Sequence, residues 1–403
     1  MNILEKPRVS IVRNHNIKTA VRECLDRLKL PDLNGQNILL KPNVGRETDP
    51  KLGINTNPEV VKAVFNYLQA HFQAKFFIGD SPIINTATRK AFKQSGYSEL
   101  LSNQNLKFLD LDEPSPIERE IPEGLLLKKI KLTGYLDQID YIISIPVLKM
   151  HMHCGVSLGF KNLKGLIYRR EKIKLHHLQN QELINKLKIN IKKIKELDIA
   201  IADLIHVLKP DLVVIDASYA QGGMGPSSGD RVKMDTIMAS THPIAADIVA
   251  LALTQPEWTL YDVPHLKLIS ESLKPPVRSI NDIKTTPDNI QDFITPLDPP
   301  PSSISIKYNN VNLIDIDSCS ACLSTVFNLL KNNKEFLDMN FTQEKPLNLA
   351  IGKGLKSEDL YEDTYLIGNC TYEQRQEGIF IKGCTPVEST ILKVIKENLK
   401  KNT

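Results

Sequence analysis

The sequence predicts an α/β fold: a mostly parallel sheet core with helices on both faces, plus a smaller C-terminal α/β domain carrying a four-cysteine site. Three observations predict it. Short apolar, β-branched runs recur, each ending in a polar or small residue, and helical patterns fill the intervals between them. Four of the six cysteines fall in the last quarter of the chain. Alternating strand and helix signals imply parallel pairing, because each helix returns the chain to the edge where the previous strand began.

The strand runs, in order, are residues 9–12, 37–40, 75–78, 105–109, 141–145 and 212–215. The second leads into Lys41-Pro-Asn43, the third into Gly79-Asp80-Ser81, the fifth into Lys149 and His151, and the sixth into Asp216. Helical patterns cover 58–71 and 87–101, and a long amphipathic region spans 172–208, followed by another helix over 243–253. A parallel sheet gathers its strand ends on one edge, and open α/β sheets bind their ligands there.

Residues 139–168 are the most informative stretch. An apolar run spills into a turn with Lys149, His151 and His153, followed by Lys161 and Asn162 between small residues. Lys149, His151 and His153 are spaced by two, so an extended backbone points all three to one face. Lysines fix an anionic group and a histidine moves protons near neutral pH, so Lys149 and His151 are the catalytic candidates, with His176 as a further one. Lys41 follows Leu39-Leu40 directly and should be partly buried, with Asp80, Asp216 or a ligand as its partner. Asp80 reads equally as a helix cap. Asp203 lies beside an apolar stripe, where a carboxylate is costly to bury unless paired. Lys41, Asn43, Asp80, Lys161, Asn162, Asp203 and Asp216 are therefore taken as substrate-binding. Residues 220–230 form a glycine-rich loop without the P-loop lysine pattern, and Gly222, Gly223, Gly225 and Gly229 would let backbone approach a ligand.

The cysteine quartet has the most constrained chemistry. Cys319-Ser-Ala-Cys322 can present two thiolates to one centre, and Cys370 and Cys384 sit beside asparagine or glycine after apolar runs. Pro386, shortly after Cys384, resembles the Cys-Pro ending of many iron–sulfur sites. A [4Fe–4S] cluster is the expected cofactor, with zinc as the alternative. Zinc sites usually use two short-spaced pairs, whereas thirteen residues separate Cys370 from Cys384. Four cysteines build one cluster, so a two-cluster electron wire is excluded.

Composition narrows the class. The chain has 403 residues, 24% charged, with formal net charge +4. That charge is mild and the lysines around Lys192, Lys193 and Lys195 alternate with acids, so no nucleic-acid stripe stands out. No apolar run reaches about 18 residues and no signal-peptide core opens the chain, so no membrane span and a cytoplasmic, thiol-reducing compartment are expected. Five prolines in 285–303, Pro301 among them, suggest a linker between a core domain (1–284) and a cysteine-cluster domain (304–403).

These blocks resemble the family catalogued as domain of unknown function 362. The resemblance rests on Lys41-Pro-Asn43, Gly79-Asp80-Ser81, Ile145-Pro-Val-Leu-Lys149-Met-His151, Gly159-Phe-Lys161-Asn162-Leu-Lys-Gly165, His176, Ala202-Asp203, Val214-Ile-Asp216-Ala with the glycine-rich loop, and Pro243-Ile-Ala-Ala-Asp247. The blocks come in the family's order over about residues 8–255. Many members carry iron–sulfur clusters, often in an inserted or appended two-cluster ferredoxin module. This chain has the quartet in place of that module. The family is also distantly similar to nickel-pincer lactate racemases, whose sites use histidines and lysines.

The expectation is an iron–sulfur enzyme, an oxidoreductase acting on a small anionic substrate with an electron donor such as a ferredoxin. Two alternatives stand beside it. One is a non-redox isomerase, transferase or ligase-like enzyme with a structural metal in the quartet, and the other an electron-transfer or cluster-carrier protein.

Overall fold

The structure is a computed structural model that describes residues 5–83, 86–169, 171–191, 194–226, 229–300 and 308–401. Lys192, Lys193 and Pro301 lie outside the described residues. The chain divides into two compact units, the first comprising 1–150, 154–222 and 230–299 and the second 151–153, 223–229 and 300–403.

The first unit is built on strands β1 (Arg8–Arg13), β2 (Asn37–Pro42), β3 (Lys75–Asp80), β4 (Leu106–Asp110), β5 (Ile117–Glu120), β6 (Lys129–Leu132), β7 (Tyr141–Ile145), β8 (Val147–His151), β9 (Gly155–Ser157), β10 (Leu212–Gly222), β11 (Asp230–Ser240) and β12 (Lys284–Thr286). The main sheet runs β12-β1-β11-β10-β7-β2-β3-β4, with β8 paired to β10 and β9. Along this order the pairings are parallel except where β11 meets β1 and β10, and β8 runs parallel to β10. The β5–β6 pair stands apart as a two-stranded ribbon.

Strands of this kind read as unbroken apolar runs because both faces are covered. Ile38 and Leu40 face one core cluster with Val60, Val64 and Phe65 of the helix Pro58–His71. Leu39, one residue out of phase, faces the opposite cluster with Ile199, Val249 and Leu266. The helix itself is well specified: Asn57 Oδ1 accepts the Glu59 N–H at 3.1 Å and Pro58 takes the first turn, where its missing donor costs nothing. Among the described residues no helix is long and apolar enough to cross a membrane.

Four local expectations are corrected. The sixth run does not end at Asp216 but continues as β10 to Gly222 and turns back antiparallel as β11, so Asp216 lies within a strand. The 172–208 region is three short helices, Glu171–Lys174, Gln181–Lys188 and Glu196–Asp203. Asn180 Oδ1 accepts the Leu183 N–H and Asp198 Oδ2 accepts the Lys195 N–H, and each such cap starts a new helix where a continuous one was expected. The 87–101 pattern splits at Gly96, whose φ of +82° ends the helix Thr88–Gln94. The proline-rich stretch up to 299 packs as part of the first unit: β12 pairs with β1, and Leu297 donates its N–H to Thr254 O at 3.0 Å.

The second unit carries a four-stranded parallel sheet, β13 (Val311–Asp315), β14 (Leu347–Ile351), β15 (Tyr365–Ile367) and β16 (Ile379–Ile381), in that order. Helices Ser320–Asn332 and Glu388–Lys401 pack on it through Val326, Leu330, Ile391 and Ile395.

Candidate functional site

Adjacent parallel strands β2 and β3 deliver Lys41 and Asp80 to the same edge, where they form an ion pair at 2.7 Å with both side chains sealed from solvent. Burial pulls the Lys41 ammonium below its ordinary range, and Asp80 opposes that pull. Each remaining Lys41 proton has an acceptor, Asn162 Oδ1 and Pro42 O, both at 3.0 Å. Asp80 is equally occupied: Oδ1 also takes the Ser81 N–H and Oδ2 the Val44 N–H, both at 2.8 Å. Asn162 closes the network by donating to Lys41 O and Ser144 Oγ. Gly165 lies against this pair so tightly that a Cβ there would overlap Asp80 Oδ1 and Lys41 Nζ.

Lys149 behaves differently. It stands on β8, nearly buried, and donates to Asn43 Oδ1 and Ile54 O, each at 2.7 Å. Burial pushes its ammonium down to about 7, and the positive charges of Lys161, Arg46 and Lys41 push the same way against Asp80. Burial also lowers Lys161 and Arg46. Among the described residues none of Lys149, Lys161 and Arg46 forms an ion pair within 4.0 Å. Three cations thus converge on one region of the first unit without a carboxylate bonded to any of them.

The other carboxylates serve backbone. Asp216 Oδ2 accepts the Asn57 N–H at 2.8 Å and Oδ1 the Ser218 hydroxyl at 2.6 Å. Asp203 takes three successive N–H groups, Leu125, Leu126 and Leu127, at 2.7–2.8 Å, so it tethers a loop where a ligand contact was expected. Asp247, not among the expected site residues, receives the N–H groups of Gly159 and Phe160, and burial raises it to about 7. Arg46 was also overlooked. Its position five residues after Lys41, on the same strand-end loop, was the available signal. His176 Nε2 lies 3.3 Å from Lys164 Nζ.

His151 ends β8 and is buried, and its Nδ1 accepts the His153 N–H at 3.2 Å. His153 sits in the following turn, so the extended three-residue face is limited to Lys149 and His151. In the glycine-rich loop, Gly222 ends β10, Gly223 turns with φ +66°, and Gly229 precedes β11. Gly225 donates to Gly223 O at 2.8 Å and accepts from Met152 N at 3.2 Å.

In the second unit, Cys319 and Cys322 follow β13, Cys370 follows β15 and Cys384 follows β16, so one edge of a parallel sheet receives all four thiols. Cys319 caps the helix Ser320–Asn332. A hydrogen bond from the Cys322 thiol holds Cys319 down at about 6, helped by the Ala321 and Cys322 N–H groups, and the same bond raises Cys322. Cys370 and Cys384 both lie within Coulombic reach of Cys319. Gly368, with φ +99°, leaves Cys322 Sγ only 3.3 Å from where a Cβ would stand. Among the described residues, no three of these sulfurs lie within 4.8 Å of one another.

The chain is similar to a thylakoid-associated protein of Synechocystis sp., 28% identical over 221 residues. That match takes in 55% of this chain and 64% of the relative, so the chain spans less than two thirds of that protein's length. Among solved structures, the lactate racemase apoprotein of Thermoanaerobacterium thermosaccharolyticum is similar at 15% identity and a TM-score of 0.39, covering 62% of this chain and 56% of that one. A structural-genomics protein of Thermotoga maritima follows at 15% identity and 0.37, covering 62% and 61%. Neither likeness is close enough to transfer an activity. The family model described as Domain of unknown function (DUF362) matches residues 38–252, more than half of the chain, and the chain belongs to that family.

Proposed function

We propose that this protein is an enzyme that binds a small anionic substrate in its first unit, carries an iron–sulfur cluster in its second, and catalyses an oxidoreduction. The observation that carries the reading is the convergence of Lys149, Lys161 and Arg46 without a bonded carboxylate. Buried charge is expensive unless compensated, and the depression of Lys149 from 10.5 to about 7 corresponds to roughly 5 kcal/mol against its charged form. A carboxylate or phosphate bound there relieves that penalty and restores the charge on Lys149. Lys161 and Arg46 orient the anion, Asn43 fixes the Lys149 amine, and the Lys41–Asp80–Asn162 network holds β2 and β3 in place behind it. With the anion bound Lys149 is an ammonium, so its Nζ gives the proton that the reaction requires.

The donor set of the quartet fits a cluster better than zinc. Tetrahedral zinc with Zn–S near 2.3 Å brings all its sulfurs to about 3.8 Å from one another, whereas no three of these thiols stand within 4.8 Å. A cubane binds each thiolate at a separate iron and tolerates the wider spacing. Cys319, Cys322, Cys370 and Cys384 would hold it, and the cluster supplies a one-electron couple. An electron donor such as a ferredoxin and a reducing compartment, the cytoplasm, complete this proposal. The name of the Synechocystis relative describes that protein as thylakoid-associated.

Anaerobic purification with iron and sulfide analysis is the test. About four of each per chain and a broad band near about 400 nm, bleached by dithionite, are expected. A colourless protein with one zinc per chain would overturn the cluster. Calorimetric titration with inorganic phosphate and with oxalate tests the anion site, where Lys149→Met should weaken binding at least tenfold and unchanged affinity would overturn it.

One observation favours a second, non-redox reading: an amine at about 7 is by itself a competent general base for proton abstraction. Full turnover after cluster removal would select that reading.

A further inference from the structure

A second group of ligand-type side chains lies within the first unit, none of it marked by the sequence. Cys154 precedes β9, Asp198 sits in the first turn of the helix Glu196–Asp203, and His265 in the first turn of the helix Pro264–Ser272. These two helices pack on one another. The three side chains bring one Sγ, one carboxylate oxygen and one imidazole nitrogen within 4.8 Å of each other, and each residue is 1% exposed. Asp198 Oδ2 is occupied by the Lys195 N–H at 3.1 Å. Asp198 Oδ1 and His265 Nδ1 face each other at 3.7 Å, an ion pair if His265 is protonated, and neither has a hydrogen bond within 3.5 Å. Buried polar atoms are nearly always hydrogen-bonded, so two orphans aimed at one point demand an explanation. A mutual hydrogen bond would close the gap to about 2.9 Å. Two ligands sharing a tetrahedral ion at 2.0–2.1 Å stand about 3.4 Å apart, much nearer to what is found.

We propose that Cys154, Asp198 and His265 hold a divalent metal ion, zinc by the mixture of sulfur, nitrogen and oxygen donors. The three side chains leave one tetrahedral position for a trapped water, and an ion so enclosed is structural. It pins the start of β9 to the first turns of both helices. The competing account makes Lys161, which senses both Cys154 and Asp198, the counter-charge of Asp198 and leaves Cys154 a plain buried thiol.

Cobalt(II) added to full-length protein distinguishes the two. The difference between wild type and Cys154→Ala should show one fewer cobalt equivalent per chain and the loss of a near-ultraviolet thiolate–cobalt band. Zinc should raise the thermal midpoint of wild type and leave Cys154→Ala unmoved. Identical cobalt spectra and stoichiometries overturn the site. Should Cys154→Ala fail to fold, His265→Gln decides the matter by the same cobalt stoichiometry and band.

Discussion

Lys41 and Asp80, thirty-nine residues apart in the chain, meet at 2.7 Å across adjacent parallel strands with no solvent at either side chain. A buried pair of this kind adds little net stability over an apolar pair of equal volume, yet removing one member strands the other's charge. Asp80→Asn should therefore destabilise the protein by about 3–5 kcal/mol, read as a fall in the urea midpoint. Lys41→Met combined with Asp80→Leu should recover much of that loss. A double variant as weak as the sum of the two single ones would show that the charges act independently.

Gly165 offers a contest between two effects. It lies in a short 3₁₀ turn, Leu163–Leu166, where alanine is intrinsically favoured over glycine by up to about 1 kcal/mol. The added Cβ, however, would overlap both partners of the ion pair. Overpacking against rigid groups costs about 1–3 kcal/mol, so Gly165→Ala should be net destabilising in thermal unfolding. It should also be less harmful in a Lys41→Met, Asp80→Leu background, because the crowded atoms are gone.

The strands around this pair were legible because parallel strands covered on both faces are unbroken apolar runs, as in Asn-Ile-Leu-Leu before Lys41. The strand β11 was not, since Asp-Arg-Val-Lys opens it and Asp235 adopts φ +49° within it. The end of β10 was hidden for a related reason: Ser218, Gln221 and Gly222 look like a loop and become strand only by pairing with β11. Proline masked β12, an edge strand that simply ends at Pro287.

At the site, charged residues after apolar runs announced themselves as Lys41, Asp80 and Lys149. Which of them are satisfied did not, because that depends on partners brought in from 162, 43 and 54. Lys41 turned out to be enclosed by its own protein, while Lys149 has two neutral oxygens and three cationic neighbours. Asp203 beside its apolar stripe reads as a carboxylate needing partners, but not as one whose partners are backbone. Those partners were three backbone N–H groups over seventy residues away, beyond any local pattern.

The pH dependence of stability should carry the signature of Lys149. Its folded pKa, about 7, lies below the ordinary lysine value of 10.5, so between these limits the unfolded chain binds more protons than the folded one. Stability contributed at this site therefore rises with pH from about 7 to 10.5, and the penalty is fully present below 7. Lys149→Met removes the titration but also two hydrogen bonds, a pH-independent loss of about 1–3 kcal/mol. The variant should gain on wild type as pH falls from 10 to 6, and the difference between their urea-derived stabilities should level off below about 7. Saturating wild type with phosphate should shrink that difference, because a bound anion lifts the Lys149 pKa back toward 10.5. A stability difference that stays flat across this range would mean that Lys149 is hydrated and ordinarily charged, and the anion site would lose its physical basis.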